Sequence, residues 1–416
     1  MLRTLIGSLL LSVLSQACFA QFEAQPGINL IALDGVIAHG ARIRVEDSQA
    51  RFGARVNTTP WLFDSVDRAV LGGVASTPYA ALADGTVVPE TIWQWRSSEI
   101  ANQGTHVENP VRVSTSRSKR HAFAQRQYAG VAPSDSAPMN KTVLAFPRYP
   151  ENRPRARTLY LSYWLRYRYG ISHPNGGAVS GKQLRLGEAS NSLGWSGSAA
   201  FITSQGIVAD NANDYAGWYG GDQFAEVLPA QTWVRLEAWA DIDARAFYAL
   251  RNSRLIDTRY SAINSGHPFE FAPNADWRYY TAPVDGADLR WTPIGYDNPS
   301  VSPDLYMLGW DENGTGNTDG QQVDITDVFV DTEIHHPEID DGPQQWSNAP
   351  GQNGFLTEIQ GEILSWSPSA IEFRLFQGAH ASLDGRWLRV RTDLDEALTL
   401  GRFSLDLIFR DAFDQP

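Results

Sequence analysis

Short segments in which residue types alternate with a period of two constrain this chain more than any other feature. In the clearest of them, residues 158–169, Leu and Tyr occupy one set of alternate positions, and Tyr, Ser, Trp and Arg occupy the other. Alternate residues of a β-strand lie on opposite faces of its sheet, so this pattern predicts a strand. The chain has 35 Gly and 23 Pro between such segments, and no long segment has a helical period. We therefore predict an all-β protein of antiparallel sheets.

The first residues have the pattern of an export signal. Arg3 supplies a positive charge, residues 5–14 are apolar, and residues 17–20 (ACFA) resemble a small-residue cleavage site. In a second interpretation Cys18 is the lipid-modified residue of a lipoprotein, although Ser15 stands where such signals normally have Leu. Both interpretations predict a secreted or periplasmic protein without a membrane span.

Charge and cysteine content limit the partners and the chemistry. The formal net charge is -13 at pH 7, which argues against nucleic acid as a partner, because phosphate binding needs clustered Lys and Arg. Cys18 is the only cysteine, so the chain after cleavage has neither a disulfide nor a thiol nucleophile. The 14 Trp and 15 Tyr either stack on sugar rings or fill the interior of a sandwich.

Turn-rich stretches divide the sequence into five parts. Residues 1–20 are the signal, and residues 21–65 are an N-terminal β segment that leads into a sandwich of residues 66–339. Residues 340–354, rich in Asp, Asn, Gly and Pro, predict a linker. Residues 355–416 predict further short strands, enough for a small appended β module.

Two predicted strands carry a polar and aromatic face opposite an aliphatic one. They cover residues 158–169 and 233–240. Because a face that carries repeated Leu goes to the core, we expect the other face to point outward or into a groove. If both strands belong to one concave sheet, they form a groove that binds a polysaccharide. Its substrate-binding residues are then Trp164, Arg166, Trp233, Arg235, Glu237 and Trp239.

Four strand patterns follow one another along the chain: LYLSYWLR (159–166), GKQLRL (181–186), WVRLEAWAD (233–241) and VDITDVFVD (323–331). In this order they resemble the concanavalin-A-like lectin/glucanase jelly rolls of secreted bacterial proteins. Residues 50–64 resemble the entry segment of the same group, and residues 358–390 resemble its immunoglobulin-like tail module. The resemblance implies an antiparallel jelly-roll sandwich with an appended β module, and a carbohydrate ligand.

A weaker likeness is to jelly-roll polysaccharide lyases, in which a strand containing Gly, Lys and Leu follows a Tyr-rich strand, as residues 181–184 (GKQL) do here. β-Elimination on a uronate needs a group that neutralises the carboxylate, a base and an acid. Gln183 and Arg185 share one strand face and are the candidates for the first role; His173 or a tyrosine such as Tyr167 is the candidate for the others. The alternative is a solvated strand face with the tyrosines in the core.

Glycoside hydrolysis is a further enzymatic alternative, since it needs two carboxylates about 5 to 10 Å apart. Glu237, Asp241 and Asp243 share one face if their strand continues unbroken. Trp239, however, occupies the place of the central Asp of the glucanase pattern, so we favour this activity less than a lyase.

An oxygen-rich loop at residues 311–320 resembles a calcium loop. Side-chain oxygens at alternate positions suit a hard cation, with Asp311, Asn313 and Asp319 as candidate ligands. Gln322 stands where a helix-loop-helix calcium site has its bidentate Glu, and a polar hairpin is the other interpretation. Calcium is the one cofactor that the sequence offers.

A basic stretch at residues 112–126 stands out in an acidic chain. This stretch either binds an anionic polysaccharide or forms a solvated hairpin. The favoured function is therefore binding of an extracellular, anionic polysaccharide. The alternatives are a lyase that cleaves a uronate-containing glycan, and a cell-surface adhesion or envelope protein in which the sandwich only displays loops.

Overall fold

The structure is a computed structural model that describes most of the two chain ends and the strands between them. The described residues are 20–66, 68–77, 82–83, 86, 94–96, 112–114, 122–126, 143–145, 158–167, 182–187, 198–203, 206–211, 214–219, 231–241, 246–251, 254–255, 302–306, 322–342, 357–393 and 396–405. All regular elements in these ranges are β-strands.

The strands, in chain order, are β1 Ala20–Ala24, β2 Ile28–Ala32, β3 Arg42–Asp47, β4 Leu62–Asp64, β5 Ala69–Leu71, β6 Val74–Ser76, β7 Gln94–Arg96, β8 Arg112–Ser114, β9 Ala122–Arg126, β10 Val143–Ala145, β11 Thr158–Tyr167, β12 Lys182–Gly187, β13 Ser198–Thr203, β14 Gly206–Asn211, β15 Asp214–Tyr219, β16 Val234–Asp241, β17 Ala246–Arg251, β18 Arg254–Leu255, β19 Ser302–Tyr306, β20 Gln322–Asp331, β21 His336–Asp340, β22 Glu358–Ile359, β23 Ile363–Ser367, β24 Ala370–Arg374, β25 Trp387–Arg391 and β26 Ala397–Leu405.

Four antiparallel sheets contain these strands. Sheet A has the order β1-β26-β25-β21-β22, and sheet B has the order β2-β3-β24-β23. Sheet C has ten strands, with β16-β11-β20 at its centre, and sheet D has the order β15-β14-β13-β12-β19-β10-β7. From β7 to β20 the chain passes back and forth between sheets D and C, as strands do in a double-sheet jelly roll. The predicted all-β, antiparallel jelly-roll class is confirmed.

Sheets A and B are built from both ends of the chain. β1 pairs with β26, and β3 pairs with β24, so strands that lie more than 300 residues apart share hydrogen bonds. The inward residues of the two sheets form one core, including Ile43, Phe373 and Val390, each 0% exposed. We call β1–β3 together with β21–β26 the terminal module. This pairing joins the predicted N-terminal segment to the predicted C-terminal module, which the sequence presents as separate parts.

The terminal module packs against sheet C. An apolar cluster at this contact contains Phe63, Phe329, Ile359 and Phe376, and the rings of Phe63 and Phe376 meet edge to face at 5.2 Å. Gly361 makes the close approach possible, because a Cβ at this position would overlap the Phe63 ring. One face of the central sheet is therefore covered by C-terminal residues of the terminal module.

Candidate functional site

The predicted Trp- and Arg-lined groove is not open in the described structure. Trp164 is 5% exposed, Arg235 is 1% exposed and Glu237 is 0% exposed. Trp239 is half-buried and packs against the apolar cluster beneath the terminal module. The prediction that these side chains line a water-filled groove was wrong, because the terminal module covers that face. Period-two alternation identifies two faces of a strand, and here both faces are buried.

Arg235 and Glu237 instead belong to an ionic cluster between sheets C and A. The Arg235 Nη2 atom lies 3.2 Å from Glu237 Oε1 and 3.0 Å from Glu338 Oε1. Arg391 on β25 contacts the same two carboxylates, with Nη2 3.3 Å from Glu237 Oε1 and Nε 3.1 Å from Glu338 Oε1. Two cations thus face two anions away from water, and the charges of the four groups cancel.

A tyrosine and a histidine complete this cluster. Tyr160 Oη donates to Glu237 Oε1 at 2.5 Å, and His336 Nε2 lies 2.8 Å from Glu338 Oε1. Burial, together with the Glu237 charge, raises the pKa of Tyr160, and burial lowers the pKa of His336 to about 4. Burial is the largest single influence on Glu338 and by itself would raise its pKa, but Arg391, Arg235 and His336 together outweigh burial and hold that pKa well below its ordinary value. The cluster is closed to a glycan, so its role is to fix the interface.

The remaining two groove residues lie at the margin of this interface. The Arg166 side chain is 19% exposed, and its Nε donates to Asp324 Oδ2 at 2.9 Å. The same guanidinium lies 5.1 Å from the ring centroid of the half-buried Trp233, a cation–π geometry. Arg166, Trp233 and Trp239 are thus the predicted groove residues that keep partial exposure.

Gln183 and Arg185 occupy alternate positions of β12, at the centre of sheet D. The strand register defines which residues share their face. The neighbouring row, which contains Leu184, runs across the sheet through apolar and aromatic residues only: Tyr219, Ile207, Ile202, Leu184, Leu305, Leu144 and Trp95. A continuous apolar row is typical of the core face of a sandwich.

The row that contains Arg185 has a different composition. It runs through Trp218, Val208, Phe201, Arg185, Asp304, Ala145 and Gln94. Two positions along their strands, Tyr306 and Arg96 lie on the same face, since both pair with Val143. Gln183 lies at an irregularity in the β12–β13 register, between Lys182 and Leu184. We call this set the polar face of sheet D: Gln94, Arg96, Arg185, Asp304 and Tyr306, with Phe201, Trp218 and, at the register irregularity, Gln183 beside them.

The polar face includes residues that sequence reasoning missed. Tyr306, Asp304 and Arg96 are far from Arg185 in the sequence, and only the β12-β19-β10-β7 pairing brings them to one face. The alternation of Asp304 and Tyr306 about a Leu was a usable signal once their strand was recognised. Tyr167, in contrast, belongs to β11 of sheet C, so it does not share a sheet with Arg185.

Several predicted site residues lie outside the described residues. They are His173 and the candidate calcium ligands Asp311, Asn313 and Asp319. Within the described ranges no group of three or more His, Cys, Asp or Glu side chains could hold a metal ion. The same ranges contain no helix with the length and apolar character needed to cross a bilayer.

No family model matches this sequence, and no curated protein matches it. Solved structures with similarity to the fold include a family 7 alginate lyase, A1-II′, in complex with substrate, at 12% identity over 56% of this chain and 86% of the lyase, with a TM-score of 0.31. A marine PL-14 alginate lyase from Aplysia kurodai aligns at 10% identity over 53% of this chain and 86% of that chain, with a TM-score of 0.32.

A structure of botulinum neurotoxin type C, whose cell entry depends on two ganglioside molecules, aligns at 13% identity with a TM-score of 0.31. The alignment covers 54% of this chain and 42% of the toxin chain, so this chain spans less than half the length of that protein. Carbohydrate-active and carbohydrate-binding proteins are thus among the structures that this chain is similar to. Likenesses of this size carry neither a substrate nor a mechanism over to it.

Proposed function

We propose that the protein is exported and binds an anionic extracellular polysaccharide on the polar face of sheet D. The observation that carries the proposal is the strand register. In this register Arg185 and Arg96 share one face of sheet D, and the adjacent row is apolar throughout. A jelly roll that buries the apolar row presents the other row across the width of the sheet.

The residue types on the polar face suit the proposed ligand. A guanidinium pairs with carboxylate or sulfate through two parallel N–H donors, so Arg185 and Arg96 supply charge recognition. Amides such as Gln183 hydrogen-bond hydroxyl groups, and an aromatic residue such as Trp218 offers a flat apolar surface to a sugar ring. The row spans neighbouring strands about 4.8 Å apart, so it is long enough to contact several sugar units.

Lyase activity is the second candidate, and Tyr306 favours it. Gln183 and Arg185 are suited to neutralise a uronate carboxylate, and a tyrosine on the same face is suited to move the proton from the sugar carbon to the leaving oxygen. In this scheme the C–H bond and the C–O bond break, a C=C bond forms, and no water is consumed.

Chromatography on immobilised glycans tests the binding proposal. Alginate, glucuronan, polygalacturonate and a glycosaminoglycan are compared with neutral dextran, and the ultraviolet absorbance of unsaturated products is followed in parallel. We expect retention on at least one anionic glycan, and at least a tenfold loss of affinity in Arg185→Gln. An absorbance rise that disappears in Tyr306→Phe but not in Arg42→Gln identifies the lyase.

Arg42→Gln is the matched control, because Arg42 is an exposed arginine of the terminal module, away from sheet D. Equal affinity of Arg185→Gln and Arg42→Gln would contradict the polar face as the site. Absence of retention on every anionic glycan, with capture of a cell-surface protein instead, would overturn the carbohydrate proposal in favour of an adhesion role.

A further inference from the structure

Strand β2 lies at one edge of sheet B, with β3 on its inner side. The register of the two strands runs without a shift, from Ile28 opposite Asp47 to Ala32 opposite Ile43. Among the described strands none pairs with the other side of β2. This side of β2 therefore presents backbone groups that another strand can bind.

The residue that follows β2 shows which backbone groups point toward this free side. Leu33 N donates to Arg42 O at 2.9 Å, so this pair of opposite residues is hydrogen-bonded. In an antiparallel ladder, residues that bond to the partner strand alternate with residues that do not. Every second residue counted back from Leu33 thus bonds to β3. The groups that point away from β3 belong to Ile28, Leu30 and Ala32.

The turns that adjoin β2 use some of these outward groups. Ile28 N donates to Gln25 O at 3.0 Å, and Gly35 N donates to Ala32 O at 3.0 Å. The groups that remain are the Ile28 carbonyl, the Leu30 N–H, the Leu30 carbonyl and the Ala32 N–H. Each of them needs a partner, either water or another chain.

The remaining groups are complementary to themselves across a two-fold axis. If two copies of β2 run antiparallel with Leu30 opposite Leu30 of the other copy, these two residues exchange both of their hydrogen bonds. In the same register Ile28 lies opposite Ala32 of the other copy, so the Ile28 carbonyl accepts from the Ala32 N–H. The other two groups of that pair, the Ile28 N–H and the Ala32 carbonyl, already have partners in the turns. One register therefore satisfies every remaining group.

The side chains of β2 lack the features that prevent pairing at a sheet edge. Residues 28–33 (INLIAL) contain neither a charge nor a proline. Ile31 is 36% exposed and Leu33 is 38% exposed. Leu30 and Ala32 pack on the core of the terminal module but are only half-buried. A second copy at this edge would remove apolar surface from water.

The other edges of the terminal module carry such protective features. The second edge strand of sheet B is β23, whose register with β24 shifts between Ile363 and Ser365. At the edges of sheet A, β1 has the exposed Glu23, and β22 is only two residues long. Bulges, charges and short strands discourage pairing with another chain. Of the edges of this module, β2 is therefore the one suited to such pairing.

The charges next to β2 also fit a two-fold contact. On β3, Glu46 lies opposite Asn29, and Arg44 lies opposite Ile31. In the register centred on Leu30, Asn29 lies opposite Ile31 of the other copy. Each cross-strand row then has Glu46 of one copy at one end and Arg44 of the other copy at the other end. No like charges face each other across the contact, where they would be destabilising.

We infer that β2 is a docking edge for a second copy of this chain, and that two copies join through antiparallel β2 strands. Sheet B then continues from one molecule into the other, held by backbone hydrogen bonds and apolar side chains. The inference does not rest on the proposed function, and its test needs no glycan. If the proposed function also holds, a dimer has two polar faces, and their joint binding of a long polymer raises the affinity.

Sedimentation velocity of the purified protein over a range of concentrations tests the inference. We expect a dimer that dissociates on dilution. Ile31→Lys brings one lysine of each copy to the contact and should raise the dissociation constant at least tenfold. Leu364→Lys is the matched control, because Leu364 is 38% exposed and lies on β23, the opposite edge strand of sheet B. This control should dimerise as the wild type does.

A second variant removes hydrogen-bond donors and adds no charge. The Ala32 N–H points away from β3, so Ala32→Pro leaves the β2–β3 hydrogen bonds in place and removes the donor at each end of the contact. The dissociation constant should again rise at least tenfold. The circular dichroism spectra of both variants should match that of the wild type, which separates loss of the contact from loss of the fold.

Hydrogen exchange of the wild type identifies the strand that forms the contact, even if a variant fails to fold. The Leu30 and Ala32 amides should exchange at least tenfold more slowly in concentrated than in dilute protein, whereas the Ile31 amide, which bonds to β3, should not change. A monomer at every concentration would overturn the inference. A dimer that both variants retain, or that Leu364→Lys also breaks, would overturn it as well. Assemblies larger than a dimer would contradict the two-fold register.

Discussion

At the scale of single residues, the ionic cluster between sheets C and A is the feature with the largest energetic consequence. Arg235, Glu237, Glu338 and Arg391 are each at most 2% exposed, so none of them has water to stabilise its charge. A buried pair contributes little net stability as a whole, but removing one member leaves an uncompensated charge. Removing any one of the four residues should therefore destabilise the protein.

Replacing Arg391 by Met should destabilise the protein strongly. The change leaves two carboxylates, Glu237 and Glu338, beside one guanidinium of the cluster, that of Arg235, and breaking a buried pair in this way costs about 3–5 kcal/mol. Urea unfolding measures the difference in the free energy of unfolding. Arg42→Met is the control, since Arg42 and its partner Asp34 are exposed and such pairs contribute about 0–1 kcal/mol. Equal losses in the two variants would contradict the burial of the cluster.

His336 should make the protein sensitive to acid. Its pKa is lowered by burial to about 4 from the ordinary value of 6.5, so below pH 6.5 the unfolded chain binds a proton that the folded chain does not. Stability is therefore present above about pH 6.5 and is lost as the pH falls toward about 4, by roughly 3 kcal/mol. Unfolding free energies measured at several pH values in this range test the effect.

Two aspartates change the stability in the opposite direction as the pH falls, so their effect must be separated from that of His336. Burial raises the pKa of Asp331 to about 6 and that of Asp340 to about 7, so their contribution to stability increases as the pH falls through those values. Comparing the wild type with His336→Gln removes their contribution to first order. A flatter profile in His336→Gln is expected, and an unchanged profile would exclude His336 as the cause.

At the scale of elements, the terminal module depends on strands from both ends of the chain. Among the described strands β1 lies at the edge of sheet A beside β26, and the contact is close because Gly401 has no side chain. A Cβ at Gly401 would lie 2.5 Å from the backbone oxygen of Glu23 and 2.6 Å from the Phe22 ring. Backbone cannot move away as a flexible side chain can.

Gly401→Ala should therefore detach β1 from sheet A. Hydrogen exchange of residues 20–24 should become at least tenfold faster, because their amides lose the β26 partners. Thr399→Ala, a half-buried position on the same strand, is the control and should leave this exchange unchanged. Retained protection in Gly401→Ala would show that β1 does not pair as described.

At the scale of the whole molecule, charge decides how an anionic ligand is held. The protein has a net charge of -13, so its overall field repels a polyanion, and only local groups of arginines attract it. Salt screens both effects, with a Debye length of about 10 Å at 0.1 M ionic strength. The short-range attraction at an arginine and the long-range repulsion therefore respond differently to salt.

Affinity for an anionic glycan should fall by at least tenfold when the ionic strength is raised from about 0.1 M to about 1 M, where the Debye length is about 3 Å. Ion pairs between the arginines of the proposed site and an anionic glycan would be screened at that distance. Retention volumes on immobilised polygalacturonate across this range measure the change. Salt-independent retention would indicate that aromatic stacking, and not arginine, holds the glycan.

The sequence by itself determined the local geometry. Alternation predicted β11 and β20, and the turn residues predicted antiparallel connections. These features depend on the period of a strand, which is a property of neighbouring residues. The all-β class follows from the same information.

Only the tertiary structure decided which faces meet water and which residues become neighbours. Arg235 and Glu237 alternate as an outward face would, yet β21 and β25, about 100 and 150 residues further along the chain, cover them. Tyr306 lies on the same sheet face as Arg185 because β19 pairs with β12, which is also a contact between distant chain segments. Burial and pairing depend on chain segments that are distant in sequence, and the alternation of neighbouring residues gives no information about those segments.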